Sequence, residues 1–339
     1  MCPADGLHLQ VTAKGVVVFA PAPLLTVTIE SRGDVPDIHL HAGGQGFWLA
    51  RMAGALGARA ALCGSFGGES GAVVRTLVAS EGVTVRGVET EAGNGAYVHD
   101  RRSGERVPIA EVPSAPLSRH EVDELYAITL VEGLEAAVCL LGGPTAEDVL
   151  PADTYRRLAA DLRGGGRTVI ADLSGPPLHA ALEGGVDVLK VSHEEVLADG
   201  WAASDGVDDL LAAVSTLQRA GAGRVVVSRA DRPALATAAG GIVEVVSPRL
   251  EPVDVHGAGD SMTAGVAAAL ARGDGWEDAL RLGAAAGSLN VTRRGLATGR
   301  RREIERLARH VELRPLDGHG AISTRTETPE ELAARTRPQ

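Results

Sequence analysis

The decapeptide HGAGDSMTAG, residues 256–265, sets Gly257, Ala258 and Gly259 before an apolar helix, with one acid, Asp260, at its entrance. A helix start leaves backbone amides without intrahelical partners, and the aligned peptide dipoles place partial positive charge there, so the position favours an anion. Glycines let the backbone approach such a guest closely. Asp260 in that place reads most simply as a helix cap, a favoured use of aspartate. Any further role has to come from the rest of the chain.

Other loops could meet it. In open α/β sheets, ligands settle outside the carboxyl ends of the strands, among loops that lead into helices. AGGQG (42–46) precedes a helix, GGP (142–144) and DLSG (172–175) follow strands, and KVSHEE (190–195) ends another. Taken singly, each is ordinary turn chemistry. Neither a GxxxxGK[ST] phosphate loop nor a GxGxxG after a strand is present. GDSM (259–262) resembles the GDS block of a family of serine hydrolases, with Ser261 as nucleophile. Those enzymes place the block early and a D-x-x-H late. Here the block is late and only Asp317 and His319 follow it, at the wrong spacing.

The elements that must carry these loops alternate. GVVVFA (15–20), AALCGSF (60–66), AAVCLLGG (136–143), RTVIADL (167–173), VDVLKV (186–191) and RVVVS (224–228) read as buried strands. Helical apolar spacing occupies 46–57, 70–81, 118–133, 152–163 and 207–220, which predicts a mostly parallel sheet covered on both faces. LTVTIES (25–31) and the strand-turn-strand pattern within 83–112 break the rhythm and suggest a small separate sheet. Residues 258–311 read as consecutive helices, 1–14 as an N-terminal tail and 316–339 as a polar C-terminal tail.

Composition narrows the function. The 339 residues are 45% hydrophobic and carry a net charge of −11 with 3% aromatics, which disfavours a nucleic-acid partner. Local amide clusters can still bind small anions. The absence of a leader pattern and of an 18-residue apolar run predicts no membrane partner and a cytoplasmic location. Cys2, Cys63 and Cys139 show no pairing or zinc pattern, and His39 and His41 alternate as on one strand face.

In combination, GGQGFWLARMAGALGARAALCGSFGGESG, DLSG, KVSHEE and VDVHGAGDSMTAGVAAALARG resemble the PfkB-type, ribokinase-like carbohydrate kinases over about residues 15–312. The PLLTVTIE opening resembles the branch containing 1-phosphofructokinase and tagatose-6-phosphate kinase. The resemblance implies a three-layer ribokinase-like α/β fold over 15–315, with a small β lid from about 24–41 and 86–113. It also implies a homodimer through paired lids. The implied activity is ATP-dependent phosphorylation of an alcohol group on a sugar or sugar phosphate. Alternatives are a nucleoside or other polyol acceptor, and a catalytically weak relative with a binding role.

The resemblance also assigns residues. Asp260 is the base, and the amides of Gly257, Ala258 and Gly259 form the anion hole for the phosphoryl group. Glu195 organises Mg2+ through water, beside Ser192 where the family has asparagine. Lys190, Ser228 and Asn290 fall on the nucleotide side, with Ala230 and Pro233 where the family's nucleotide loop has glycines. Asp254 matches an aspartate that in some relatives supports a K+ site. The acceptor side comprises Thr26, Gly43, Gly44, Gln45, Trp48 and Asn94. There, Thr26 stands for aspartate, Gln45 for lysine and Trp48 for asparagine, and Asn94 lies near a missing arginine. Loss of that lysine and arginine predicts weaker binding of a phosphorylated sugar.

Overall fold

The structure, a computed structural model, describes residues 15–144, 148–293 and 297–316. The chain starts at β1 (Gly15–Phe19), leaves for the hairpin β2 (Leu24–Arg32) and β3 (Val35–Gly43), and returns through α1 (Gln45–Ala55) to β4 (Arg59–Gly67), α2 (Gly68–Ser80) and β5 (Thr84–Thr90). A second excursion, β6 (Ala96–Asp100) and β7 (Val107–Val112), precedes α3 (Arg119–Glu135), β8 (Val138–Gly142), α4 (Asp153–Gly164), β9 (Thr168–Asp172) and α5 (Gly175–Gly184). Next come β10 (Val186–Ser192), α6 (His193–Ala198), α7 (Val207–Ala220), β11 (Ala222–Arg229), β12 (Arg232–Ala238) and β13 (Gly241–Val246). Helices α8 (Ala258–Arg272), α9 (Trp276–Asn290) and α10 (Arg301–Ala308) precede the short β14 (Glu312–Pro315).

Ten strands form one sheet in the order β14-β13-β12-β11-β10-β9-β8-β1-β4-β5, parallel from β11 to β5. Side chains alternate across it. Val16, Val18, Leu62, Leu140 and Ile170 pack under α1, α8 and α9, whereas Val17, Phe19, Cys63, Leu141 and Val169 face α3, α4 and α7. This gives the expected three layers. From β1 the chain proceeds one way to β4 and β5, and the other way through β8 to β11, so the β1/β8 boundary is the switch point where a cleft opens above the strand ends.

All six expected strands and five expected helices form. The antiparallel extension β12–β14 was not anticipated, because RPALATAAGGIVEVV is too rich in alanine and glycine to show a clear period. Among the three terminal helices, α8 and α9 pack tightly: a Cβ on Gly265 would stand 2.7 Å from the Cα of Gly283. Cys63 and Cys139 are buried, and burial pushes each thiol up to about 12, leaving both inert. No described helix is long and apolar enough to cross a membrane. Cys2, the tail 1–14 and residues 317–339, with Asp317 and His319, lie outside the described residues.

The second sheet, β3-β2-β6-β7, stands over the cleft as a lid. It starts later than 86, because β5 pairs in register with β4 in the large sheet, from Ala61↔Thr84 to Gly67↔Thr90. Register fixes its two faces: Thr26 pairs with His41 and Tyr97, and Thr28 with His39 and His99, giving a polar face. Val27, Ile29, Ile38, Leu40, Val98 and Val112 fall on the opposite, apolar face.

Candidate active site

Gly257 adopts φ 71°, the left-handed conformation that glycine tolerates, and so turns the loop into α8. No side chain caps this helix, and among the described residues no hydrogen bond occupies the amides of Gly257, Ala258 or Gly259. These amides are therefore free to meet an anion. Asp260 lies in the first turn and does not cap it, so the simple reading fails here. Ser261 is fully buried with no partner for its hydroxyl, which removes the hydrolase reading. Asn290 braces the loop from α9: its Nδ2 donates to the His256 carbonyl at 2.7 Å, and its Oδ1 accepts from the Ala297 amide at 2.8 Å. Its side chain is thus spent on positioning, and the nucleotide contact expected of it is not available.

Around Asp260 the strand ends bring charge together. Lys190, at the end of β10, is 7% exposed and donates to Asp172 at the end of β9, with Nζ 3.3 Å from Oδ1. It is not the surface lysine that its sequence position allowed. Burial alone would lower its pKa, but the charges of Asp172, Glu195 and Asp260 hold it above the ordinary value. Asp172, fully buried, also accepts from Thr263 Oγ1 at 2.5 Å, which ties β9 to α8. Sequence reasoning quoted DLSG without assigning Asp172; a lone acid closing the apolar strand RTVIAD was the available signal. Gly259 belongs to this packing too, because a Cβ there would lie 2.5 Å from Lys190 Nζ.

These neighbours decide the state of Asp260. Burial and the negative charges of Asp172 and Glu195 push its carboxyl up to about 7, against the opposing pull of Lys190 and a hydrogen bond from Gln45. The helix dipole does not keep it ionised at low pH, as its place at a helix entrance implied, because desolvation and nearby carboxylates win. A carboxylate near 7 is poised to accept a proton under neutral conditions.

The other expected residues divide. Ser192 caps α6 and Glu195 answers it in a capping box: Ser192 Oγ accepts from the Glu195 amide at 3.1 Å, and Glu195 Oε2 accepts from the Ser192 amide at 2.7 Å. The S-x-x-E spacing was legible in SHEE. Ser228 sits beside Ser192 across the β10–β11 register, and its Oγ donates to Val191 O at 3.5 Å. The following two-residue turn holds Ala230 at φ 52°, a position that suits the glycine the family places there. Gln45 Oε1 accepts from the Gly143 amide at 2.8 Å, which leaves its NH2 for Asp260 at the switch point.

Between lid and core lies a cavity of about 590 Å³, walled by Thr26, Gly44 and Trp48 and by the lid face with His39, His41, Tyr97 and His99. Gly43 closes β3 and packs against Leu24 and Thr26. Asn94 is not available to a ligand. Its Oδ1 accepts from the Gly67 amide, and its Nδ2 donates to Pro23 O and Ser65 O, so it pins the lid connections. Arg51, Arg101 and Arg106 also line the cavity, Arg51 paired with Glu81 at 2.9 Å and Arg101 with Asp254 at 3.1 Å. Among the described residues no three His, Cys, Asp or Glu side chains gather as a metal site, His39 and His41 included.

The pfkB family carbohydrate kinase pattern matches residues 24–302. The chain is 30% identical to ATP-dependent 6-phosphofructokinase isozyme 2 of Escherichia coli over 257 residues, 75% of this chain and 82% of that protein. It is 25% identical to 1-phosphofructokinase of Bacillus subtilis over 256 residues, 76% of this chain and 83% of that one. A crystal structure of phosphofructokinase-2 from Escherichia coli in complex with potassium superposes with a TM-score of 0.75 at 26% identity, covering 87% of this chain and 98% of the other. With a pattern match over residues 24–302 and a shared ribokinase-like frame, the chain belongs to the pfkB family of carbohydrate kinases.

Proposed function

We propose that this kinase uses ATP to phosphorylate an alcohol group of a sugar phosphate, with Asp260 as base. The observation that carries the reading is the Asp260 carboxylate in the first turn of α8, next to three uncommitted amides. The acceptor hydroxyl gives its proton to Asp260 as its oxygen forms a bond to the γ-phosphorus. The bond from that phosphorus to the β,γ-bridging oxygen breaks and ADP leaves. The amides of Gly257, Ala258 and Gly259 meet the charge on the transferring oxygens, where positioning and electrostatics supply most of the catalysis.

Asp172, Glu195 and Asp260 place more negative charge at the strand ends than Lys190 balances. Glu195 would hold Mg2+ through water. When bound it neutralises phosphate oxygens of the nucleotide. Ser228 and the Ala230 turn border the adenine side, and Lys190 balances charge beneath the phosphates.

Arg51 and Arg106 in the cavity wall favour a phosphorylated acceptor over a nucleoside or a neutral polyol, because charge-assisted hydrogen bonds to phosphate repay desolvation. Trp48 offers its ring to the sugar. The lid above excludes water and so limits wasteful hydrolysis of ATP. Its apolar outer face, with Ile38 60% and Leu40 48% exposed, is suited to meet a second copy across a twofold axis. An acceptor panel of hexose phosphates, free hexoses and nucleosides, read by ADP release with ATP and Mg2+, tests the reading. Turnover with hexose phosphates alone is expected; release no faster with any acceptor than with water overturns it. Sedimentation of Ile38→Lys and Leu40→Glu tests the pairing, with a monomer expected.

A further inference from the structure

Asp254 stands six residues before Asp260, and its side chain is only 6% exposed. A carboxylate so buried has to be compensated by positive charge or donors. Here its partners come from its own chain. Oδ2 accepts from Arg101 Nη2 at 3.1 Å; Oδ1 accepts from the His256 amide at 3.1 Å and lies 2.7 Å from His256 Nδ1. Burial would raise its pKa, yet the hydrogen bonds from His256 and Arg101 hold it below the ordinary carboxylate value. The same stretch is also closed on its main-chain side, since the amides of Val253 and Asp254 both donate to Val291 O, at 2.7 and 3.0 Å.

Arg101 does not belong to this loop. It follows β6 in the lid, and its amide donates to Ile29 O at 2.8 Å, so its backbone is tied to the lid sheet. Its side chain crosses the cleft to the core. From Asp254 the path to the anion hole is short: His256 is fixed at its amide by Asp254 and at its carbonyl by Asn290, and Gly257 follows. The charge opposite Asp254 therefore sets where the catalytic loop begins.

We infer that Arg101 is a lid-borne replacement for a monovalent cation at Asp254, so that this chain carries its own positive charge beside the catalytic loop. The oxygens that K+ would need at Asp254 are already engaged, and the residues present do not fit the ion. Arg101 acts as a positioning residue: it holds Asp254, which holds His256 and the loop. Because Arg101 follows β6, this charge reaches the loop from the lid. Only the kinetic arm of the test rests on the phosphotransfer reading.

The experiment compares KCl with tetramethylammonium chloride at matched ionic strength, for the full chain and for Arg101→Met and Arg101→Lys, by thermal melting and by phosphotransfer. The unaltered protein is expected to melt and turn over alike in both salts. Arg101→Met is expected to lose about tenfold or more in rate without K+, to regain much of it with K+, and to melt higher in KCl. Arg101→Lys is expected to stay indifferent to K+. Potassium dependence of the unaltered protein in either readout overturns the inference, and so does an Arg101→Met variant that K+ neither stabilises nor reactivates. If no acceptor supports turnover, the phosphotransfer reading fails while melting still decides the role of Arg101.

Discussion

Asp260→Asn should cripple turnover and stabilise the fold together, because the environment that makes the carboxylate a base also penalises its charge. Asp260 moves from an ordinary 3.8 to about 7 on folding. Between those values the folded chain holds a proton that the unfolded chain has released, so stability falls as pH rises from about 4 and levels off above about 7. At 1.36 kcal/mol for each pKa unit, the full cost of the ionised carboxylate is about 4 kcal/mol. Asp260 keeps some exposure to the cleft, and the surroundings relax, so about half of that, ~2 kcal/mol, is the realistic share. Asparagine keeps the shape and removes the titration, while Asp172 still pairs with Lys190. Urea unfolding at pH 5 and pH 8 reads the difference. The advantage of the asparagine variant should grow by about 1–2 kcal/mol from pH 5 to pH 8. A gap that does not change with pH, or a variant that loses stability as pH rises, would refute the burial argument for Asp260.

The remaining predictions follow from the same geometry. With Asp260 near 7, kcat/KM should fall about tenfold per pH unit below that value and flatten above it; a flat profile from pH 5 to 8 contradicts Asp260 as base. Gly259→Ala puts a Cβ 2.5 Å from Lys190 Nζ. It should cut kcat by about 10- to 100-fold with little change in melting temperature, because the flexible end of the lysine can yield. Ala230→Gly, at φ 52°, should raise stability by about 0.5 kcal/mol, since the relief of left-handed strain outweighs the added freedom of the unfolded chain; chemical denaturation checks it.

Much of the frame was legible because parallel strands buried on both faces leave unbroken apolar runs, as in GVVVFA and RVVVS, and nothing else in this chain looks like them. The loop around Asp260 was legible because glycines before a helix have a physical meaning that survives without a structure. What sequence left hidden depends on distant pairing. Arg101 sits in HDRRSGER, which reads as a plain charged turn, and only the lid's placement sends its side chain 153 residues along the chain to Asp254. Lys190 looks like a strand-end surface lysine until β9 brings Asp172 against it. Asn94 and Gln45 present the same amide group, yet one is consumed by backbone partners and the other reaches the base; no local pattern separates them. The raised pKa of Asp260 is hidden for a similar reason, because helix position is local while desolvation and the carboxylates of Asp172 and Glu195 are assembled by the fold.

The most direct test follows the phosphorus itself. Incubated with ATP, Mg2+ and a hexose phosphate, the unaltered protein should yield a second phosphomonoester signal by 31P NMR as ATP is converted to ADP, and Asp260→Asn should slow its appearance by about 100-fold or more. Formation of inorganic phosphate in place of the ester, or transfer at an undiminished rate by Asp260→Asn, would contradict the assignment of that carboxylate as the base.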